Sequence, residues 1–137
     1  MASILKVDEL RGIASAGDIT VTSEGGAATQ SLQQGLAKAW VNFNGTGTIA
    51  SRDSLNVSGL VDNGTGWYTV NFANSMDSSD YSSTGAGGGT SGTPLTKIPP
   101  SNVVYNTSGF QLQTLNTASQ ATLDTQIIGT QNFGDLA

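Results

Sequence analysis

From Trp40 onward, apolar residues recur at every second position. The runs Trp40-Val41-Asn42-Phe43, Leu55-Asn56-Val57-Ser58 and Trp67-Tyr68-Thr69-Val70-Asn71-Phe72 alternate large apolar with polar side chains, as in a strand with one face buried and one exposed. In the last run Tyr68, Val70 and Phe72 share one face, assigned to the core, and Trp67, Thr69 and Asn71 share the other. Between the runs stand Asn44-Gly45-Thr46-Gly47 and Asp62-Asn63-Gly64-Thr65-Gly66; Asn-Gly between alternating segments predicts hairpins because both residues accept positive φ. Further strands are predicted at Val103-Val104-Tyr105, Phe110-Gln111-Leu112-Gln113 and Leu123-Asp124-Thr125-Gln126-Ile127-Ile128, with Asn106-Thr107-Ser108-Gly109 as the turn between the first two. Residues 82 to 93 hold only small polar side chains, Ala and Gly, and read as a surface loop, with Pro94, Pro99 and Pro100 punctuating its exit. Short strands at this spacing predict an all-β body, an antiparallel, jelly-roll-like β-sandwich spanning residues 41–137.

The first 40 residues are patterned differently. Ile4, Leu5, Val7, Leu10 and Ile13 form one apolar cluster and Ile19 and Val21 a second, separated by Gly12 and Gly17. An isolated strand or hairpin is marginal in water, so these residues are expected to form an extended arm that docks on something else. Over residues 27 to 40, Ala28, Leu32, Leu36 and Trp40 recur every four positions, with Gln30, Gln33, Gln34 and Lys38 on other faces. That spacing predicts one short helix, weakened by Gly35 in its middle at about 1 kcal/mol relative to Ala and too short to stand alone. Its stripe of Leu32, Leu36 and Trp40 is expected to pack on a sheet or on its copies in neighbouring subunits.

Composition narrows the function. The 137 residues contain neither Cys nor His, which excludes disulfide scaffolds, thiol or imidazole nucleophile chemistry, Ser-His-Asp triads and the common transition-metal sites. A net charge of -5 with five basic residues leaves too little positive charge to follow a phosphate backbone, so nucleic acid is not an expected partner. Only 11% of residues are charged, against about 25% in ordinary domains, whereas 51 of the 137 are Ser, Thr, Asn or Gln. Polarity carried by hydroxyls and amides suits sheet faces and tight turns, and 36% apolar content with Trp40 and Trp67 supports a packed core over disorder. Charge enters the first residues before an apolar signal segment can form, and no window approaches a membrane span, so a soluble, non-exported product without membrane contact is expected.

Candidate chemistry is sparse. Residues 87 to 92 fit G-x-G-x-x-G, but no helix pattern follows to aim amides at a phosphate, and a loop is expected instead. Asp53, Asp62, Asp77 and Asp80 match no calcium-loop spacing and suit local turn hydrogen bonds. No carboxylate pair stands out for glycoside hydrolysis. Asn44-Gly45-Thr46, Asn56-Val57-Ser58, Asn63-Gly64-Thr65 and Asn106-Thr107-Ser108 match the glycosylation acceptor pattern, read here as turn and strand chemistry. Trp40 and Trp67 could offer a sugar-stacking platform, with burial in the core the simpler expectation for both. Arg52-Asp53 is expected to form a strand-end or intersubunit salt bridge. Neither an enzymatic activity nor a cofactor is expected.

The stretch from Ala39 through Val57, followed by Asp62-Asn63-Gly64-Thr65-Gly66-Trp67-Tyr68-Thr69-Val70-Asn71-Phe72, resembles a segment widespread in tail-fibre-like and other surface structural proteins of tailed bacteriophages, marine ones especially. Leu32-Gln33-Gln34-Gly35-Leu36-Ala37-Lys38, the opening Val7-Asp8-Glu9-Leu10-Arg11-Gly12 and the closing Gly134-Asp135-Leu136-Ala137 belong to the same resemblance. It implies a β-rich, homotrimeric, non-enzymatic virion protein, made in the host cytoplasm and carried on the particle surface. The arm would then anchor to the virion, and the helical stripe would pack around a threefold axis. With no shaft repeats in the chain, the expected role is capsid decoration or cement, or a short appendage. The interface would comprise Ile4, Leu5, Val7, Leu10, Ile13, Ile19, Val21, Leu32, Leu36 and Trp40, with the major capsid protein as partner. The alternatives are a tail fibre or tail-tip adhesin bound to tail proteins and touching a host glycan through residues 82 to 93, or a carbohydrate-binding module with Trp40 or Trp67 exposed.

Overall fold

The computed structural model describes residues 4–14, 19–89, 94–97 and 105–137. It divides into a unit Met1–Leu36 and a unit Ala37–Ala137. In the first, β1 (Thr20–Thr22) and β2 (Thr29–Ser31) pair as an antiparallel hairpin, closed where Ser23 exchanges backbone hydrogen bonds with Gly26 and Ala28. Residues 4 to 14 carry no regular structure and expose their side chains, Gly12 excepted.

The helix expected over residues 27 to 40 is absent, as are helices elsewhere among the described residues. β2 takes its start, a turn takes its middle and β3 (Ala39–Asn44) takes its end. In the turn the Ser31 side chain accepts from Gln34 N–H, Ser31 O from Gly35 N–H and Gln33 O from Leu36 N–H. A stretch of this length with a central glycine cannot meet the cost of helix nucleation. Trp40 instead gains a strand partner on each side, Gln131 and Leu55.

The second unit contains two four-stranded sheets. One has the order β4-β3-β10-β7, with β4 at Ala50–Leu55, β10 at Ile127–Phe133 and β7 at Ser82–Gly88. The other has the order β5-β6-β9-β8, with β5 at Val57–Gly64, β6 at Trp67–Phe72, β9 at Gly109–Asn116 and β8 at Pro94–Lys97. Every pairing is antiparallel. Alternation turns Ala39, Val41, Phe43 and Ile128 of one sheet toward Tyr68, Val70, Phe72, Phe110 and Leu112 of the other, and all are buried in one core with Met76 and Tyr81. Phe43 meets Tyr68 edge-on at 5.3 Å between centroids, and Phe72 meets Tyr81 at 5.6 Å, the geometry that ring quadrupoles favour. The expected all-β, antiparallel sandwich is therefore what this unit forms. β10 returns beside β7 after β8 and β9, the Greek-key order from which jelly rolls are also built.

Several boundaries move. Residues 82–88 are a strand, every one of them paired to β10, because a ladder of backbone hydrogen bonds needs no large side chain; residues 90–93 lie outside the described part. Val103 and Val104 also lie outside it, and Tyr105 is not in a strand. Residues 123 to 126 precede β10 rather than open it, since Leu123 N–H donates to Thr114 O and Thr125 O accepts from Gly45 N–H. The run from Leu55 to Ser58 is broken by Asn56, whose φ of 55° turns the chain from β4 in one sheet to β5 in the other. The Asn56 side chain fixes that corner, accepting from Asn74 N–H at 2.7 Å and donating to Asn74 O at 3.0 Å. The expected turns at residues 62 to 66 and 106 to 109 are present, and residues 44 to 47 open the connection between the antiparallel pair β3 and β4.

At the other end of the sandwich the buried Tyr68 hydroxyl lies 2.7 Å from Gly45 O and 2.9 Å from Asp124 Oδ1, while the same Oδ1 accepts from Gly66 N–H at 2.6 Å. Gly66 has φ +65°, and a Cβ there would come within 2.6 Å of Thr114 O, so only glycine fits. Burial, and secondarily the Asp124 carboxylate, push the Tyr68 hydroxyl well above the ordinary tyrosine value; burial does the same at Tyr81. Two buried hydroxyls, those of Thr96 and of Thr130 (3% exposed), have no hydrogen-bond partner among the described residues.

Two consequences are measurable by denaturant unfolding. Tyr68→Phe leaves Gly45 O without its buried donor and should cost about 1–3 kcal/mol, whereas Thr130→Val removes an unpaired hydroxyl and should add about 1 kcal/mol. Because Tyr68 and Tyr81 hold their protons more tightly folded than unfolded, their contribution is complete below about pH 10 and lost as pH climbs above it. The alkaline loss should be shallower in Tyr68→Phe.

Candidate functional site

The outward face of the β4-β3-β10-β7 sheet carries a trough. Trp40 of β3 stands opposite Gln131 of β10, which stands opposite Thr84 of β7; the next outward row is Asn42, Gly129 and Ala86. These six residues line an open hollow of about 400 Å³, floored by the strand backbones. Gly129 makes the hollow deep, since a Cβ there would meet nothing within 4 Å.

The β3–β4 register shifts between Asn42 and Phe43, a bulge that re-aims side chains. Arg52, in the shifted stretch of β4, donates to Asn42 Oδ1 at 3.2 Å and to Gln126 O at 2.7 Å. Within the chain Arg52 and Asp53 do not bridge each other, because neighbouring strand residues point to opposite faces, and Asp53 Oδ1 accepts from Ser54 N–H. Chemically the trough offers an indole, amides and a hydroxyl: a stacking surface with neutral donors and acceptors around it.

Trp67 occupies the outward face of the other sheet, and its indole N–H donates to Gln111 Oε1 at 3.2 Å. Both tryptophans are half-buried, correcting the expectation that they belong to the core; alternation sends Val41 and Tyr68 inward and their Trp neighbours outward. The expected interface residues divide between the two units. Ile4 and Leu5, each 78% exposed, and Val7, Leu10 and Ile13 present apolar side chains to solvent. Ile19 is half-buried. Val21, Leu32 and Leu36 come together around a hollow of about 200 Å³. Trp40 is a β3 residue of the sandwich and no helix spans residues 27 to 40, so the helical stripe expected to join it to Leu32 and Leu36 is not formed.

Of the acidic candidates, Asp53 lies in β4 and Asp62 near the end of β5, where its Oδ1 accepts from Gly64 N–H, while Asp77 and Asp80 lie outside the strands; among the described residues no group of three or more acids could hold a metal ion. No helix among them is long and apolar enough to cross a membrane. The neighbours of Trp40 in the trough were not evident in sequence, because strand pairing sets residues 42, 84 and 129 side by side; the available signal was the Gly129-Gln131 alternation against Ile128, Thr130 and Asn132.

No protein-family model, curated protein or solved structure matches this chain.

Acrylamide should quench both tryptophans, and Trp67→Phe should leave a quenchable Trp40 signal. A Trp40 emission that is blue-shifted and protected in solution would show that a further surface covers this face.

Proposed function

We propose that this chain is a non-enzymatic structural protein of a bacteriophage particle, a capsid decoration or short surface appendage, anchored through its N-terminal residues and trimeric. The observation that carries the reading is the run from Ile4 to Ile13, which has no regular structure and exposes five large apolar side chains. The sandwich that follows closes a core of its own. Exposed apolar clusters of this kind mark interaction surfaces. Each such side chain is worth about 1.5–3 kcal/mol when fully buried, less the cost of ordering the arm. In this role the protein works by burial against the major capsid protein and needs no reaction. The resemblance to phage surface proteins supports the same reading, as does a surface polar through hydroxyls and amides. Residues 82–88, part of the segment through which the adhesin alternative would touch a glycan, form an edge strand.

The test combines Ile4→Asp, Leu5→Asp and Leu10→Asp in the full chain. Occupancy on particles, counted by electron cryo-microscopy, should fall by about a hundredfold or more, the equivalent of at least about 3 kcal/mol, with the thermal transition of the sandwich unchanged. Undiminished occupancy overturns the anchoring role, and density confined to the tail vertex overturns the capsid location.

A further inference from the structure

We infer that the trough on the β4-β3-β10-β7 sheet is a binding site for a neutral saccharide, with Trp40 as the stacking platform. The inference is independent of how the chain attaches to a particle.

The two outward tryptophans differ in what they have left to offer. Trp67 has its indole N–H engaged by Gln111, whereas the Trp40 N–H has no hydrogen-bond partner among the described residues, and Trp40 lines the open hollow of about 400 Å³. The floor beneath is made of small residues, Gly85, Ala86 and Gly129. Glycine within a strand weakens it and marks a place where something approaches the backbone closely. Gly129 needs no special conformation, and a side chain there would meet empty space, so neither turn geometry nor packing accounts for it. A ligand seated against the sheet does.

The walls fix the class of ligand. Asn42 is held from behind: Arg52 donates to its Oδ1 and is itself tied to Gln126 O, which leaves the Asn42 amide N–H groups oriented and unspent. Gln131 and Thr84 add an amide and a hydroxyl, also without partners among the described residues. A pyranose ring matches this set, since its C–H face stacks on an aromatic ring while its hydroxyls both donate and accept. A net charge of -5 and a rim with one guanidinium already committed disfavour phosphorylated or polyanionic ligands. The volume of about 400 Å³ lies within the range of small-molecule sites.

The experiment uses the full chain carrying Trp67→Phe, so that Trp40 is the sole reporter. Neutral monosaccharides are titrated as methyl glycosides of glucose, galactose, mannose and N-acetylglucosamine, followed by a printed array of bacterial surface polysaccharides. The expected result is a saturable change in Trp40 emission or array binding with at least one probe. Trp40→Ala, read by calorimetry, and Gly129→Val, which fills the trough without strain, should each weaken that binding tenfold or more and leave the thermal transition in place. Silence across the glycosides and the array overturns the site, as does a Gly129→Val protein that binds like its parent. Trp40 emission that changes with protein concentration in sugar-free buffer, and no longer does so in Gly129→Val, also overturns it by showing that a second copy fills the trough.

Discussion

The hydroxyl of Tyr68 is the point at which one end of the sandwich is fastened. Tyr68 reaches across the core from β6, packs its ring edge-on against Phe43 of the opposite sheet, and meets Gly45 O and the Asp124 carboxylate with its oxygen. Asp124 in turn holds Gly66 N–H, and Thr125 O holds Gly45 N–H. Three connections far apart in sequence, the β3–β4 loop, the β5–β6 turn and the segment before β10, thus close on one buried oxygen. A side chain that is apolar along most of its length and polar at its tip can satisfy both the core and its boundary, and neither Phe nor Leu could.

With that end fixed, the register of β3 against β10 follows, and with it the outward face. Pairing Trp40 with Gln131 and Asn42 with Gly129 places an indole, two amides and a bare backbone in one trough. A slip of one residue would invert every side chain, burying Trp40 and exposing Val41 and Phe43. The core and the candidate binding face are therefore two sides of a single constraint.

The N-terminal unit has a different economy. Its hairpin is short and exposed on nearly every residue, and the stretch before it keeps its apolar side chains in solvent. A segment like this gains order from a partner, which is the physical content of the anchoring proposal. The sandwich closes a core of its own, whereas the arm leaves its large apolar side chains unburied.

The sequence alone determined the sandwich. Period-two alternation at Val41-Phe43 and Tyr68-Val70-Phe72 identified inward residues, and Asn-Gly identified turns, because both signals depend only on local backbone geometry. It also marked Ile4, Leu5, Val7, Leu10 and Ile13 as apolar groups without local partners, whereas Val21, read with them, pairs with Gln30 in the β1–β2 hairpin. Other features were settled by contacts between residues distant in the chain. The four-residue spacing of Ala28, Leu32, Leu36 and Trp40 reads as a helix in isolation, yet Trp40 is a strand residue because β4 and β10 flank it. The glycine-rich residues 82–88 look like a loop until β10 supplies a ladder for their backbone. Local patterning reports which face of an element is apolar; only tertiary pairing decides which element it is and which residues share its other face.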